Sequence, residues 1–88
     1  MKKEKGWVVY LLRCADGKFY CGVTVDLARR LAAHNAGTAS KYTRARRPVR
    51  VEATSGLLAK ADAITLEWRV KRLPRDKKAR AITEGRCP

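Results

Sequence analysis

Two tyrosines ten residues apart stand where a β-hairpin could bring their phenol groups together. Tyr10 lies in the apolar run W-V-V-Y-L-L-R at 7–13, and Tyr20 lies in a second run at 19–23. Both runs are rich in β-branched and aromatic residues, and the intervening A-D-G at 15–17 is typical of a turn. The spacing predicts two antiparallel strands whose tyrosines could present hydroxyl groups to a substrate.

The length of the hairpin loop decides whether the tyrosines share a face of the sheet. A two-residue turn would place them on opposite faces. A three-residue loop with Gly17 in the left-handed conformation shifts the register, so that Tyr10 faces Gly22 and Tyr20 lies diagonally beside it. Gly22 would then leave room for a substrate at the Tyr10 hydroxyl. The alternative is that both tyrosines are ordinary strand aromatics.

The next segment combines an arginine and a histidine on one face of a predicted helix. Asp26 is a suitable N-cap, and Gly37 is placed to end a helix over 27–35. The face that carries two leucines also carries Arg30 and His34. The Arg30 guanidinium could hold a phosphate, with His34 as a hydrogen-bond relay. Alternatively, His34 is satisfied within the core and Arg30 extends past it to solvent.

A longer helix, predicted over 58–73, carries a carboxylate at the edge of its buried face. The predicted apolar stripe consists of Ala59, Ala63, Leu66, Val70 and Leu73. Glu67 borders this stripe, and Lys71 follows one turn later. The two could form an exposed ion pair, or Glu67 could hold a divalent cation whose other ligands are water and substrate phosphate. The helix alone leaves both alternatives open.

Positive charge is concentrated between the two predicted helices. The chain has 21 Lys and Arg residues against eight Asp and Glu residues, a net charge of +13 at pH 7, which favours a polyanionic partner. Arginines can bind phosphates, a tyrosine ring offers a face to a base or sugar, and the Thr43 hydroxyl adds a hydrogen bond. The residues predicted to contact nucleic acid are Lys41, Tyr42, Arg44, Arg46, Arg47 and Arg50. Cations that could extend this surface are Lys60, Lys71, Arg72, Arg75, Lys77, Lys78 and Arg80.

Composition and run length exclude other classes of protein. A hydrophobic content of 45% argues against a disordered basic tail. The apolar run at 7–12 is far shorter than the ~20 residues that span a bilayer and too short for a signal peptide. We therefore expect a cytoplasmic protein that does not bind membranes. A protein partner is possible, but the sequence indicates none, and it does not give the oligomeric state. A zinc site from Cys14, Cys21, Cys87 and His34 would lack closely spaced ligand pairs, so buried, reduced thiols are expected instead.

The predicted elements follow the order β-β-α-β-α-α and indicate an α+β fold, a small three-stranded antiparallel sheet flanked by helices. The third strand is expected at 49–53 and the last helix at 74–83, whereas the basic segment 37–48 has no helical periodicity. At 88 residues, the chain is long enough for one compact domain. We expect a flexible N terminus at 1–6, a single domain at 7–84 and a C-terminal tail at 85–88.

Five segments, in this order, resemble the GIY-YIG nuclease superfamily over 7–84. V-V-Y at 8–10 and Y-C-G at 20–22 are similar to its two hairpin motifs, and D-L-A-R-R-L-A-A-H-N at 26–35 is similar to its first helix. The segments S-K-Y-T-R-A-R-R-P-V and L-E-W-R-V-K-R-L resemble its small, single-domain bacterial branch. The departures, V-V-Y for G-I-Y and a cysteine in the second motif, fall on positions that need apolar packing.

The resemblance implies a metal-dependent endonuclease that hydrolyses phosphodiester bonds in nucleic acid, with DNA favoured. It implies one Mg²⁺ or Mn²⁺ held by Glu67, which polarises the scissile phosphate. Because no separate recognition domain is predicted, we expect a preference for nucleic-acid structure rather than sequence. The alternative is a nucleic-acid-binding module of the same fold with little or no turnover.

The same resemblance assigns roles to the remaining candidates. Tyr10 would orient or deprotonate the attacking water, helped by His34 or Tyr20. Arg30 would neutralise charge that develops on the phosphoryl oxygens. Lys71 would assist near the tyrosine or the phosphate.

Overall fold

The computed structural model describes residues 6–85, which form a three-stranded antiparallel sheet between two layers of helices. The strands are β1 (Val8–Arg13), β2 (Phe19–Thr24) and β3 (Arg50–Thr54), in the sheet order β2-β1-β3. The helices are α1 (Leu27–Ala36), α2 (Lys41–Arg44), α3 (Lys60–Lys71) and α4 (Arg75–Glu84). The predicted α+β fold is confirmed. Apart from positions 6 and 85, the predicted flexible N terminus and C-terminal tail lie outside the described residues, as does Cys87.

The hairpin has the register that a three-residue loop predicts. The Cys14 N–H donates to the Lys18 carbonyl at 2.8 Å and closes the three-residue loop 15–17. Gly17 has the left-handed conformation, with φ of +85°. Tyr10 pairs with Gly22, so Tyr20, two positions earlier on β2, points to the same side of the sheet. The loop length therefore brings the two tyrosines to one face.

Helices cover both faces of the sheet, and β1 is buried on both sides. On the first face, leucines 27 and 31 of α1 pack near Tyr10 and Leu12. On the second face, α3 and α4 pack against the strands. The buried residues of this second face are Val9, Leu11, Cys21, Ala53, Ala63, Leu66, Val70, Ala81 and Ile82. The predicted stripe of α3 is thus confirmed as its core-facing side, with its two end residues half-buried.

The basic segment after α1 contains a helical turn that the sequence analysis did not predict. The Ser40 Oγ accepts the Thr43 N–H at 3.0 Å and caps α2. A single turn of four residues is too short to show helical periodicity, which explains the difference. A second difference concerns α3, which begins at Lys60 rather than at 58. Leu58 is held in extended backbone by two hydrogen bonds with Trp7, so the helix cannot start there.

Asn35 joins the end of α1 to the start of the third strand. Its Oδ1 accepts the Val49 N–H at 2.7 Å, and its Nδ2 donates to the Val49 carbonyl at 3.0 Å. Val49 is buried, so both of its backbone groups need partners within the protein. The Asn35 amide supplies them in the way a neighbouring strand would.

We predict that Asn35→Ala lowers the free energy of unfolding by about 2 kcal/mol, because it leaves buried backbone groups without partners. Urea unfolding measures the change. Asn35→Asp is the matched control. It keeps the Oδ1 that accepts the Val49 N–H, but it replaces the Nδ2 donor by an oxygen that would face the Val49 carbonyl. Its free energy of unfolding should therefore also stay below that of the wild type. Equal unfolding midpoints for wild type and Asn35→Ala would contradict this role.

Candidate active site

A chain of buried hydrogen bonds links β1, α1 and α2 on the first face of the sheet. The Tyr10 Oη lies 3.0 Å from His34 Nε2, and His34 Nδ1 lies 2.7 Å from Thr43 Oγ1. His34 is 1% exposed, Tyr10 is 3% exposed and Thr43 is fully buried. The Thr43 Oγ1 in turn lies 3.1 Å from the Oγ of Ser40. Both ring nitrogens of the chain's one histidine therefore have partners.

This arrangement corrects one expectation about the basic segment and also bears on the cysteines. Thr43 was expected to offer its hydroxyl to nucleic acid, but it is buried against His34. The sequence did not reveal that Thr43 is the partner of His34, because this contact depends on the turn of α2. The partnered His34 also argues against a zinc site with the cysteines. Cys14 and Cys21 are buried thiols on opposite faces of the sheet.

Gly22 makes room for the Tyr10 ring itself. A Cβ at position 22 would lie 2.5 Å from the Tyr10 Oη and 2.7 Å from its Cζ. The expected space for a substrate at this hydroxyl is therefore filled by the phenol, whose oxygen meets His34. The prediction that Gly22 serves Tyr10 holds, but for packing rather than for access.

Tyr20, not Tyr10, lies at the surface of this site. Its ring meets the His34 ring edge-on at 5.0 Å between centroids, and the Tyr42 ring lies 6.0 Å away. A cleft of about 300 Å³ runs along β2, which is an edge strand of the sheet. It is lined by Leu11, Phe19, Tyr20, Cys21, Tyr42, Lys71 and Lys78. The cleft thus joins the tyrosine side of the sheet to lysines from α3 and α4.

Burial and the charge of Arg30 set the protonation of the buried pair. Burial raises the pKa of Tyr10 above its ordinary value, and the nearby Tyr20 and Glu67 raise it further, while Arg30 lowers it. Burial also lowers the pKa of His34, and the Arg30 charge lowers it again. At neutral pH, Tyr10 therefore carries its proton and His34 is uncharged. The exposed Arg30 acts on both groups through its field.

Glu67 and Lys71 form the ion pair that was one of the two alternatives for α3. Their Oε2 and Nζ atoms are 3.1 Å apart, and the Glu67 side chain is largely buried while that of Lys71 is exposed. Within residues 6–85, no group of three His, Cys, Asp or Glu side chains could hold a metal ion. One carboxylate fits a hard divalent cation only when water and substrate phosphate supply the other ligands.

The predicted nucleic-acid residues divide into exposed cations and residues that hold their own chain. Lys41 and Arg44 are exposed on α2. The Arg46 guanidinium covers the Tyr42 ring at 3.9 Å, donates to the Tyr42 carbonyl, and lies beside Asp16. One face of the Tyr42 ring is therefore covered by Arg46, so at most the other face is open to a base or sugar.

Two further arginines that were predicted to contact nucleic acid, Arg47 and Arg50, lie away from the cleft or hold their own backbone. Arg47 Nε donates to the Arg44 carbonyl at 3.0 Å and so holds the backbone of its own segment. Arg50 lies on β3, opposite Arg13 of β1, at the other edge of the sheet from the cleft. The structure therefore does not bring Arg50 to the cleft.

Most cations of the second group contact neighbouring side chains or carbonyls. Arg72 lies over Trp68 and Arg75 over Phe19. Lys78 donates to the Val70 carbonyl at 2.9 Å, near the end of α3. These cations therefore have different surroundings: Lys71 and Lys78 line the cleft, Arg72 and Arg75 pack on aromatic rings, and Arg80 pairs with Glu84.

The two hairpin tyrosines thus meet a histidine of the following helix on one face of this α+β domain, and Arg30 of the same helix acts on Tyr10 and His34 by its charge. The family profile described as the GIY-YIG catalytic domain matches residues 6–80. The chain belongs to the GIY-YIG family, a family of nucleases that act on nucleic acid. The family resemblance inferred from the five motifs is thereby confirmed.

Relatives and solved structures agree with this family. The chain is 44% identical over 77 residues to a UPF0213 protein of Nitratidesulfovibrio vulgaris, covering 88% of this chain and 70% of the relative. It is 46% identical over 70 residues to the UPF0213 protein VNG_2274C of Halobacterium salinarum, covering 80% and 91%.

Two solution NMR structures share the fold. The UPF0213 protein BH0048 of Bacillus halodurans is 42% identical, with a TM-score of 0.53 over 86% of this chain and 81% of that one. The protein EF2693 of E. faecalis is 38% identical, with a TM-score of 0.59 over 91% and 85%. Across residues 6–85, no helix has the length and apolar character needed to cross a bilayer.

We predict that Gly22→Ala destabilises the domain by about 1–3 kcal/mol, because the new methyl group forces the buried Tyr10 ring away from His34. Thermal unfolding measures this effect. Gly56→Ala is the matched control, since a Cβ at that position meets nothing within 4 Å. Equal losses in the two variants would show that the Tyr10 contact is not the cause.

The lowered pKa of His34 predicts a specific dependence of stability on pH. The unfolded chain takes up a proton near the ordinary histidine pKa of about 6.5, whereas the folded chain resists it until lower pH. Stability should therefore fall as the pH drops from 6.5 toward the folded pKa. Urea unfolding at pH 7.5 and 5.5 should show a smaller difference for His34→Gln than for wild type. The same difference in both proteins would contradict the prediction.

Proposed function

We propose that this protein is a divalent-metal-dependent endonuclease that hydrolyses phosphodiester bonds, with DNA as its favoured substrate. The observation that carries the proposal is the buried Tyr10–His34 pair, which lies beside Tyr20 at the cleft and within the field of Arg30. A tyrosine with an uncharged histidine behind it can accept a proton from water without first being ionised. The exposed cations of α2 supply contacts to the phosphate backbone.

The proposed proton path begins at the attacking water. As the water oxygen bonds to phosphorus, its proton passes to Tyr10 Oη while the Tyr10 proton passes to His34 Nε2. His34 becomes an imidazolium, and its lowered pKa favours later release of that proton. Tyr20, which lines the cleft, orients the water or a phosphate oxygen.

Charge on the phosphate is balanced by groups from α1 and α3. Arg30 neutralises negative charge that develops on the phosphoryl oxygens. Glu67 would hold one Mg²⁺ or Mn²⁺, which would polarise the scissile phosphate and stabilise the leaving oxygen. Lys71, which pairs with Glu67 in the free protein, lines the cleft and can bind a substrate phosphate there.

Substrate selection follows from the exposed residues of α2, whose Tyr42 lines the cleft. Lys41 and Arg44 can contact phosphates of any sequence, and Tyr42 presents one ring face next to Tyr20. Such contacts read backbone shape rather than base edges. The proposed enzyme therefore prefers particular nucleic-acid structures to particular sequences.

A nucleic-acid-binding module with little turnover is the second candidate, and two observations favour it. Tyr10 is almost fully buried, and its raised pKa keeps the phenol protonated at neutral pH, so water has little access to it and no phenolate is available as a base. Glu67 is already paired with Lys71. A domain held in this state would bind phosphates without cleaving them.

A panel of labelled DNA and RNA flaps, junctions, duplexes and single strands, with and without Mg²⁺ or Mn²⁺, distinguishes the two functions. We expect metal-dependent cleavage that falls at least about 100-fold in Arg30→Ala and Glu67→Gln. Arg29→Ala and Asp62→Asn are matched controls, because they remove like charges from exposed positions of the same helices. Both controls should cleave as wild type does.

Cleavage that survives excess chelator, or that persists in both Arg30→Ala and Glu67→Gln, would rule out the proposed mechanism. Steeply salt-dependent binding with no cleavage anywhere in the panel would establish the binding module instead.

A further inference from the structure

The buried Thr43 contacts His34 but takes no proton in the proposed proton path. Thr43 Oγ1 lies 2.7 Å from His34 Nδ1 and is completely shielded from solvent. We propose that Thr43 is a positioning residue that fixes His34 as the Nδ1–H tautomer, with Nε2 free to accept the Tyr10 proton. The role in catalysis rests on the proposed nuclease function, whereas the tautomer is a property of the free protein.

The numbers of donors and acceptors show in which direction the hydrogen bonds run among Tyr10, His34 and Thr43. If Tyr10 donates to His34 Nε2, then Nδ1 carries the proton of the neutral ring and donates to Thr43 Oγ1. The Thr43 hydroxyl can then donate to Ser40, whose carbonyl and Oγ lie 3.4 Å and 3.1 Å away. Every buried donor has an acceptor in this arrangement.

The opposite direction leaves one donor without a partner. If Thr43 donated to Nδ1, the ring proton would sit on Nε2 and point at the Tyr10 oxygen. The Tyr10 O–H would then have no acceptor among the described residues, although Tyr10 is almost fully buried. Leaving a buried hydroxyl without an acceptor is unfavourable, which selects the first direction.

The helical turn α2 contains both Thr43 and two exposed cations, Lys41 and Arg44. Ser40 caps the turn through the Thr43 N–H and also lies beside the Thr43 hydroxyl. Lys41 and Arg44 project from this turn. A well-formed α2 therefore places the histidine anchor and two exposed cations on one helical turn.

The tautomer can be measured directly, because His34 is the chain's single histidine and ¹⁵N-histidine labelling gives the spectrum of one imidazole. We expect two-bond ¹H–¹⁵N spectra at pH 7.5, without metal or nucleic acid, to show the Nδ1–H form. Thr43→Val, which removes the hydroxyl at nearly constant volume, should shift the ring toward the Nε2–H form. Thr43→Ser should restore the wild-type pattern, and Thr65→Val, at an exposed site on α3, should leave it unchanged.

A wild-type spectrum of the Nε2–H form, or a Thr43→Val spectrum unchanged from wild type, would overturn the proposal. If Thr43→Val does not fold, the wild-type and Thr43→Ser spectra still decide, since both must show the Nδ1–H form. In cleavage assays, Thr43→Val should lose at least 10-fold in rate and Thr43→Ser should regain most of it. Absence of cleavage by the wild type would refute the nuclease function without affecting the tautomer result.

Discussion

A single imidazole, buried at the meeting point of β1, α1 and α2, constrains much of this small domain. A buried histidine needs partners at both ring nitrogens, and here they come from Tyr10 on one side and Thr43 on the other. The Tyr10 ring can reach its position only because Gly22 has no side chain. The pairing of Tyr10 with Gly22 across the two strands in turn depends on the three-residue loop, which sets the register of the hairpin. Loop length, strand pairing and the turn after α1 are therefore linked through one polar group.

The net charge of +13 is distributed among several different roles. Arg30 acts at a distance on the protonation of Tyr10 and His34. Arg46 and Arg47 stabilise the segment around α2 through ring and carbonyl contacts. Lys41 and Arg44 remain exposed on α2. A large positive charge thus indicates a polyanionic partner, but it does not identify which cations would meet that partner.

The sequence predicted the site to the extent that local rules govern it. Strand alternation and the loop glycine left two registers open, of which the structure has the one that brings Tyr10 and Tyr20 together, and helix periodicity placed Arg30 and His34 on one face. The pairing of His34 with Thr43 could not be predicted, because it joins residues nine apart across a turn too short to leave a pattern. The internal contacts of Arg46 and Arg47 were missed for a similar reason. Arginine in a basic loop has the same composition signal whether it binds its own carbonyls or a phosphate.

The position of the cleft on an edge strand has a consequence for how the protein behaves in solution. The outer side of β2 carries backbone groups that no neighbouring strand of this sheet pairs, which in other proteins invites a second chain to add a strand. Lys71 and Lys78 stand along this edge, where another copy of the chain would bring the same charges. Like-charge repulsion would oppose such strand addition. The lysines can thus keep the edge from pairing between copies of the protein while leaving it attractive to a polyanion.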